Sequence, residues 1–370
     1  MPGWVAPVDS AIPEFTPVNL ITGFLGSGKT TLLQRLLADP ALADTAVLIN
    51  EFGEVGLDHH LLERIDPRTV LLQSGCLCCT IRGELAEALR DLHSRRARGE
   101  VPPFRRLAIE STGLADPYPV LTTLHADPVL RHHLRPGTIV TTVDAVNGAA
   151  QLARHPESVK QVAVADRIVL TKTDLAAAAS IEPLLARIRA INPAAPLLRA
   201  AEDALDASAL LAEDSAALAQ NRLAPDAWLG GDWAEDSAHH HDHADRNRHG
   251  PDIHAFALVF DQPLDWTAFG VWLTMLLHCH GERILRVKGI LAVEGEAAPV
   301  AIHGVQHLVH PPLHMRAWPD DDHRSRLVFI VQGLPRAAIE RSLRVFLGES
   351  RGGMASPNPG AEAAPSSSTL

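Results

Sequence analysis

No apolar run in this 370-residue chain approaches the roughly 18 residues of a membrane-spanning helix. Basic residues are in the minority: 33 Lys and Arg stand against 44 Asp and Glu, a formal net charge of −11. That balance argues against a nucleic-acid binder, which carries a basic stripe, and leaves an acidic surface with a weak attraction for cations. Met1 to Phe15 has neither a basic n-region nor an apolar h-region, so no secretory signal is expected. Cysteines number only four, three of them within four residues, which excludes a disulfide framework. The expected compartment is the cytoplasm, where thiols stay reduced.

At roughly 100–200 residues per domain, the length accommodates two domains. From Pro17 to about Arg199, short β-branched runs alternate with amphipathic stretches. Val18–Thr22, Ala46–Asn50, Thr69–Leu72, Leu107–Glu110, Ile139–Val143 and Ile168–Leu170 read as buried strands. Thr30–Leu37, Gly83–His93 and Ile181–Ile191 read as helices, with an Ala-rich helix expected over Ala204–Gln220. This alternation predicts an α/β domain with a mostly parallel sheet covered on both faces. In a second, smaller α+β unit, strands are expected at His254–Phe260, Arg283–Val293, Val300–His303 and Arg326–Val331, and helices at Asp265–His278 and Pro335–Leu347. The expected organisation is an N-terminal tail over 1–15, a nucleotide-binding domain over 16–220, a His-rich linker over 221–252, the second domain over 253–347 and a disordered tail over 348–370.

Gly23-Phe24-Leu25-Gly26-Ser27-Gly28-Lys29-Thr30 matches the phosphate-loop pattern G-x-x-x-x-G-K-[ST], with an apolar strand before it and an amphipathic helix after it. Its glycines let backbone N–H groups cradle phosphate, Lys29 neutralises the β- and γ-phosphates, and the Thr30 hydroxyl suits Mg²⁺. The helix that starts here turns its positive end to the anion. Leu107-Ala108-Ile109-Glu110-Ser111-Thr112-Gly113 ends a strand in an acid and then a glycine. Glu110 is a candidate to order the Mg²⁺ shell or an attacking water, and the Gly113 amide a candidate sensor of the γ-phosphate. Thr171-Lys172-Thr173-Asp174 follows a late strand and resembles the [NT]-K-x-D base-reading element of GTPases. A carboxylate at Asp174 accepts from guanine N1–H and the exocyclic amine, donors that adenine does not present there.

Cys76-Leu77-Cys78-Cys79 lies about fifty positions after the phosphate loop. Zinc takes tetrahedral sulfur and nitrogen ligands, and three thiolates this close converge on one ion while leaving a fourth position open. An open site suits transfer better than scaffolding. Soft ligands favour Zn²⁺ or Cu(I), and metal availability still allows Co²⁺. A thiol relay through the Cys76 and Cys79 pair is the redox alternative. Glu51, in Asn50-Glu51-Phe52-Gly53-Glu54, follows the second strand, where P-loop GTPases place their first switch; both metal ligation and nucleotide sensing are open to it, and to Glu54.

Together these segments resemble the CobW family of P-loop GTPase metallochaperones, which includes zinc chaperones, cobalamin-synthesis proteins and nitrile hydratase activators. The resemblance rests on Gly23–Leu33, Asn50–Asp58, Gly75–Cys79, Glu110–Pro117, Val143–Ala145, Thr171–Leu175 and, in the second unit, Arg283–Leu291 with a strand at Trp318. It implies that Cys76, Cys78 and Cys79 carry the metal with Glu51 as partner. It further implies that Gly23, Gly26, Ser27, Gly28, Lys29, Thr30 and Thr31 hold phosphate and Mg²⁺, and that Thr171, Lys172 and Asp174 read guanine. The implied activity is slow GTP hydrolysis coupled to delivery of Zn²⁺, or of Co²⁺ or iron, to a client metalloprotein; no glutamine or arginine finger is evident in the sequence. A metal buffer or sensor, or a small-molecule kinase, are the alternatives, and self-association stays open.

The tract His239-His240-His241-Asp242-His243, with His249 and His254 nearby, suits weak metal loading or a solvated loop. His278-Cys279-His280 and His303, His307, His310 and His314 are open to docking a metal but are expected as scattered surface histidines, and the pair Trp266 and Trp272 is expected in the core.

Overall fold

The computed structural model describes residues 15–50, 70–74, 81–201, 205–211 and 252–348. In chain order the N-terminal part runs β1 (Thr16–Gly23), α1 (Lys29–Leu37), β2 (Thr45–Asn50), β3 (Val70–Ser74), α2 (Ile81–Ala97), β4 (Arg106–Glu110), α3 (Tyr118–Ala126), α4 (Leu130–His133), β5 (Leu134–Asp144), α5 (Gly148–Arg154), α6 (Pro156–Val164), β6 (Arg167–Thr171), α7 (Ala178–Ile191), β7 (Leu197–Arg199) and α8 (Ala207–Leu210). The strands pair in the order β3-β2-β4-β1-β5-β6-β7, every pair parallel. β1 is central, flanked by β4 and β5, so the loop at its C-terminal end opens where the connections part to either side.

Both faces of this sheet are buried, as parallel sheets require. Ala46, Leu48, Leu107, Ile109, Ile168 and Leu170 pack toward α2, α3, α6 and α7. Their neighbours in sequence, Val47, Ile49, Ala108 and Val169, pack toward α1 and α8. The alternation explains why these strands read as unbroken apolar runs rather than as half-polar ones.

The second part contains β8 (Ile253–Phe260), α9 (Trp266–His280), β9 (Ile284–Leu291), β10 (Val300–Val305), β11 (Leu308–Val309), β12 (Leu313–His314), β13 (Ser325–Gln332) and α10 (Arg336–Phe346). Its sheet is antiparallel, in the order β11-β10-β9-β13-β8, with β12 paired to β10. α9 and α10 cover one face through Phe269, Trp272, Leu277, Ile339 and Leu343, packed on Val287, Leu291 and Phe329. Leu285, Val305 and Ile330 instead join the core beneath α6, and Ile290 and Val328 pack on Ala194 after α7. The antiparallel sheet is therefore held between its own helices and the nucleotide-binding part.

Several expectations need correction. β5 begins at Leu134, ahead of the expected Ile139, although Pro136 and Gly137 read as strand breakers. The register against β1 shifts there, and the Asn19 side chain accepts from the Thr138 N–H at 2.8 Å, which replaces the missing ladder bond. Trp318 is not in a strand; it lies among bends before Pro319, stacked on His323 at 4.8 Å. Trp272 is core at 1% exposure, but Trp266 is 39% exposed. Six residues on a helix leave two side chains about 120° apart, so one apolar face cannot take both. His303 and His310 are buried and stacked at 4.2 Å, not at the surface. Of the helix expected over Ala204–Gln220, Ala207–Leu210 is helical and residues 212–220 lie outside the described residues. Among the described residues no helix is long and apolar enough to cross a membrane.

Candidate functional site

β1 ends in Gly23, whose φ of 141° is open to glycine but strained for other residues. A methyl group at Gly23 would stand 2.3 Å from Thr142 Oγ1, so glycine is also needed for the close approach to β5. Gly28, with φ 87°, turns the loop into α1, and the Ser27 and Thr142 hydroxyls meet at 2.6 Å. Lys29 is buried, and its ammonium donates to the Gly23 and Phe24 carbonyls at 3.1 and 3.3 Å. The loop thus curls round the Lys29 ammonium.

Glu110 closes β4, in register with Ile21 of β1, which brings the acid to the first turn of α1. The Thr30 hydroxyl donates to Glu110 Oε1 at 2.6 Å. These two oxygens are a hard donor set of the kind Mg²⁺ takes when it also coordinates phosphate. Beyond them the chain stays tight on β1: Ser111 N–H donates to Ile21 O at 2.9 Å and its hydroxyl to Thr22 at 2.9 Å. Gly113 then lies against the backbone of Leu25, where an added methyl would sit 2.5 Å from the Leu25 nitrogen. Gly113→Ala must therefore push the two loops apart. Overpacking of this kind costs about 1–3 kcal/mol, roughly five- to a hundredfold in affinity where it falls on the GTP-bound form. Titration with a slowly hydrolysed GTP analogue is expected to show that loss, with GDP less affected.

The base-reading candidates are tied to the same loop. Thr171 Oγ1 donates to Ser27 O at 2.7 Å, and Lys172 Nζ donates to Gly26 O at 2.7 Å and to Asp144 Oδ2 at 2.9 Å. Lys172 adopts φ 57°, a left-handed conformation that the turn into Asp174 imposes. Asp174 is exposed at that turn, which the Leu175 N–H closes on Lys172 O at 3.1 Å. Thr31 is exposed in the first turn of α1, and Gly26 has φ 70°.

Two contributors carry no assigned role in the sequence reading, Thr142 and Asp144. Burial raises the Asp144 pKa, but donors from Asn147, Lys172 and the Val146 and Asn147 backbone outweigh it, so the carboxyl is held below its ordinary value. An acid that ends a parallel strand, as Asp144 ends β5 next to the phosphate loop, was the available signal.

Cys76, Cys78, Cys79, Glu51 and Glu54 lie outside the described residues, as do His239, His240, His241, His243 and His249. The strands leading to the first group are described. β2 ends at Asn50 and β3 at Ser74, and these two residues are register partners. Among the described residues no cluster of three or more His, Cys, Asp or Glu is arranged to hold a metal ion, and Cys279 is an exposed free thiol.

The phosphate-loop motif, the acid that closes β4 and the Thr171–Asp174 turn share one frame in this molecule, the arrangement of a P-loop GTPase. The description CobW/HypB/UreG, nucleotide-binding domain, matches residues 17–199, and Cobalamin synthesis protein cobW C-terminal domain matches residues 253–347. The chain belongs to the CobW family. It is 34% identical over 322 residues to the zinc chaperone YjiA of Escherichia coli, spanning 87% of this chain and 96% of that one. It is 31% identical over 364 residues to the zinc chaperone CobW of Pseudomonas aeruginosa, spanning 90% and 91% respectively. The crystal structure of Zn(II)-bound YjiA GTPase superposes with a TM-score of 0.67 at 30% identity, over 90% of this chain and 99% of that one.

Proposed function

We propose that this protein is a GTP-dependent zinc metallochaperone, in which Cys76, Cys78 and Cys79, with Glu51, hold Zn²⁺ for transfer to a client metalloprotein in the cytoplasm. The observation that supports it best is the row of strand ends at one edge of the parallel sheet. β1 leads to the phosphate loop, β4 ends in Glu110, and β2 and β3 end at the partnered Asn50 and Ser74, one and two residues before Glu51 and Cys76. Neighbouring strands lie about 4.8 Å apart, so β3, which leads in sequence to the thiolates, ends two strands from the acid that faces Thr30. Relatives named as zinc chaperones support zinc as the cargo.

In this reading the backbone of Gly23, Gly26, Ser27 and Gly28 cradles phosphate, Lys29 neutralises it, and Gly113 reads the γ-phosphate. Thr171, Lys172 and Asp174 select guanine. Mg²⁺ held by Thr30 and Glu110 would offset the charge that develops on the phosphates. Glu110 orients the attacking water, and the loss of the γ-phosphate relaxes the segment that carries Glu51. A switch of this kind is required, because structural zinc sites bind with about 10–16 kcal/mol and do not release unaided. Moving a two-state equilibrium from 1:99 to 99:1 takes about 5.5 kcal/mol of differential affinity, which nucleotide and ligand exchange with the client supply together. Delivery of Co²⁺ instead of Zn²⁺ is the second reading, since three thiolates accept both ions.

Replacing Cys76, Cys78 and Cys79 together by serine tests the assignment. The variant is expected to lose tight stoichiometric zinc and to bind guanine nucleotide as before. Zinc affinity unchanged by the triple replacement would reject the site; equal zinc dissociation constants with GDP and with GTP would reject the coupling.

A further inference from the structure

α6 touches both the nucleotide site and the second sheet, and its polar residues point to a role beyond packing. Gln161, in the middle of this nine-residue helix, is 1% exposed. Its side-chain amide donates to Gly113 O and to Ala115 O, each at 3.1 Å. Both acceptors are carbonyls, which fixes the nitrogen toward them and leaves Oε1 buried without a hydrogen-bond partner. An orphaned buried acceptor is a cost that packing alone does not explain. The loop held in this way, from Ser111 to Ala115, is the one that lies against Leu25 of the phosphate loop.

Three residues further along, less than one helical turn, the same helix meets the C-terminal sheet. Arg286 of β9 donates to Val164 O and pairs with Asp166, the residue before β6. Lys288 Nζ reaches the same carboxylate at 3.3 Å and His303 Nε2 lies 3.9 Å from it. Asn192 Nδ2 ties down the carbonyls of Val162, Ala163 and Ala165 at 2.8, 3.2 and 2.9 Å. At its other end, His155 stacks on Phe24 of the phosphate loop at 4.5 Å. The helix is thus bonded to the γ-phosphate-facing loop in its middle, to β9 at one end and against the phosphate loop at the other.

We propose that Gln161 is a positioning residue of the GTPase site, and that α6 carries displacement of the Gly113–Ala115 loop to β9 and β10 of the C-terminal sheet. The proposal rests on the GTPase reading above and adds to it the route by which nucleotide state reaches the second domain. The Gly113 N–H and C=O flank one Cα, so a displacement of the loop that carries the amide to a γ-phosphate also shifts the carbonyls that Gln161 grips. Gln161 cannot follow without shifting Val164 and Asp166, which Arg286 holds.

Hydrogen exchange on the unaltered full chain, with GDP and with the slowly hydrolysed analogue GTPγS, tests the route. Protection of Ile284–Leu291 and of the second half of α6 is expected to differ between the two nucleotide forms. Identical protection there, with both nucleotides bound, overturns the proposal alone. Binding of neither nucleotide rejects the GTPase reading and the proposal with it. Gln161→Leu keeps the volume and removes both donors. It is expected to lower the preference for GTPγS over GDP about tenfold, in line with two lost hydrogen bonds, with GDP affinity kept within about threefold. It should also abolish the β9 difference. A residue with a merely structural role would change both affinities alike, and that outcome overturns the positioning role. The first arm decides the route even where Gln161→Leu does not fold.

Discussion

Lys29→Ala is expected to weaken GTP binding by about two to three orders of magnitude while leaving thiolate zinc binding measurable. Hydrogen bonds from a charged donor are worth about 1.5–3 kcal/mol each, and a decade of affinity is about 1.4 kcal/mol. The ammonium sits inside the curl of the phosphate loop, on the carbonyls of Gly23 and Phe24, and would meet the β- and γ-phosphates together. Its loss removes two charge-assisted contacts and the positive charge round which the loop is curled. Asp144 bonds Lys172 of the base-reading turn, a contact that Lys29→Ala leaves in place, so residual binding should retain its guanine preference. Competition with labelled GDP measures the effect, and a change of less than about fivefold, well under one lost charged hydrogen bond, removes Lys29 from the phosphate site. The serine variant at Cys76, Cys78 and Cys79 should behave in the opposite way. The pair separates the two halves of the site.

How much of this was legible in the sequence depended on whether the determining contacts were local. The phosphate loop is a contiguous string whose geometry comes from its own glycines, so Gly23, Gly28, Lys29 and Thr30 fall where the pattern predicts. The central strands were legible because both their faces are buried and nearly every residue is apolar. α6 escaped notice for the opposite reason. Pro156 breaks the chain after α5, and the buried Ser158 and Gln161 interrupt the apolar period by which a short helix is recognised. β7, three residues long, offers no period at all. His303 and His310 read as surface residues because histidine usually is exposed or half-exposed. His303 lies against an acid and an arginine separated by 120 residues in the chain, which no local window contains, and His310 stacks on it. The thiolate segment is the reverse case: the sequence is explicit about the chemistry, while the described residues stop at Ser74, the register partner of Asn50.

Arg286→Met alone is expected to destabilise the fold by about 3–5 kcal/mol, while the triple replacement Asp166→Asn, Arg286→Met and Lys288→Met should recover most of that loss. Asp166 is fully buried, and burial would raise its pKa. Arg286, Lys288, His303 and the Ile139 N–H together outweigh burial and hold the carboxyl far below its ordinary range. Removing one cation leaves a carboxylate without its main counter-charge in a site closed to water. Removing all three charges eliminates the desolvation cost as well, and asparagine still accepts from the Ile139 N–H that Asp166 Oδ2 binds at 3.0 Å. Urea midpoints for the two variants separate a network held together by its charges from one that merely tolerates them. The pH dependence should run in one direction. Burial, and then the nearby Arg286, lower Lys288 to about 7, against the opposing pull of Asp166 and with a smaller push from Arg167. Between about pH 7 and the ordinary lysine value near 10.4, the unfolded chain holds a proton that the folded chain lacks, so stability rises with pH across that window. Burial, and then His310, keep His303 well below 6.5, so acid below that value favours the unfolded chain again. In Lys288→Met the rise above pH 7 should disappear and the loss below pH 6.5 remain. If Lys288→Met tracks the unaltered protein from about pH 7 to 10, Lys288 does not titrate with folding.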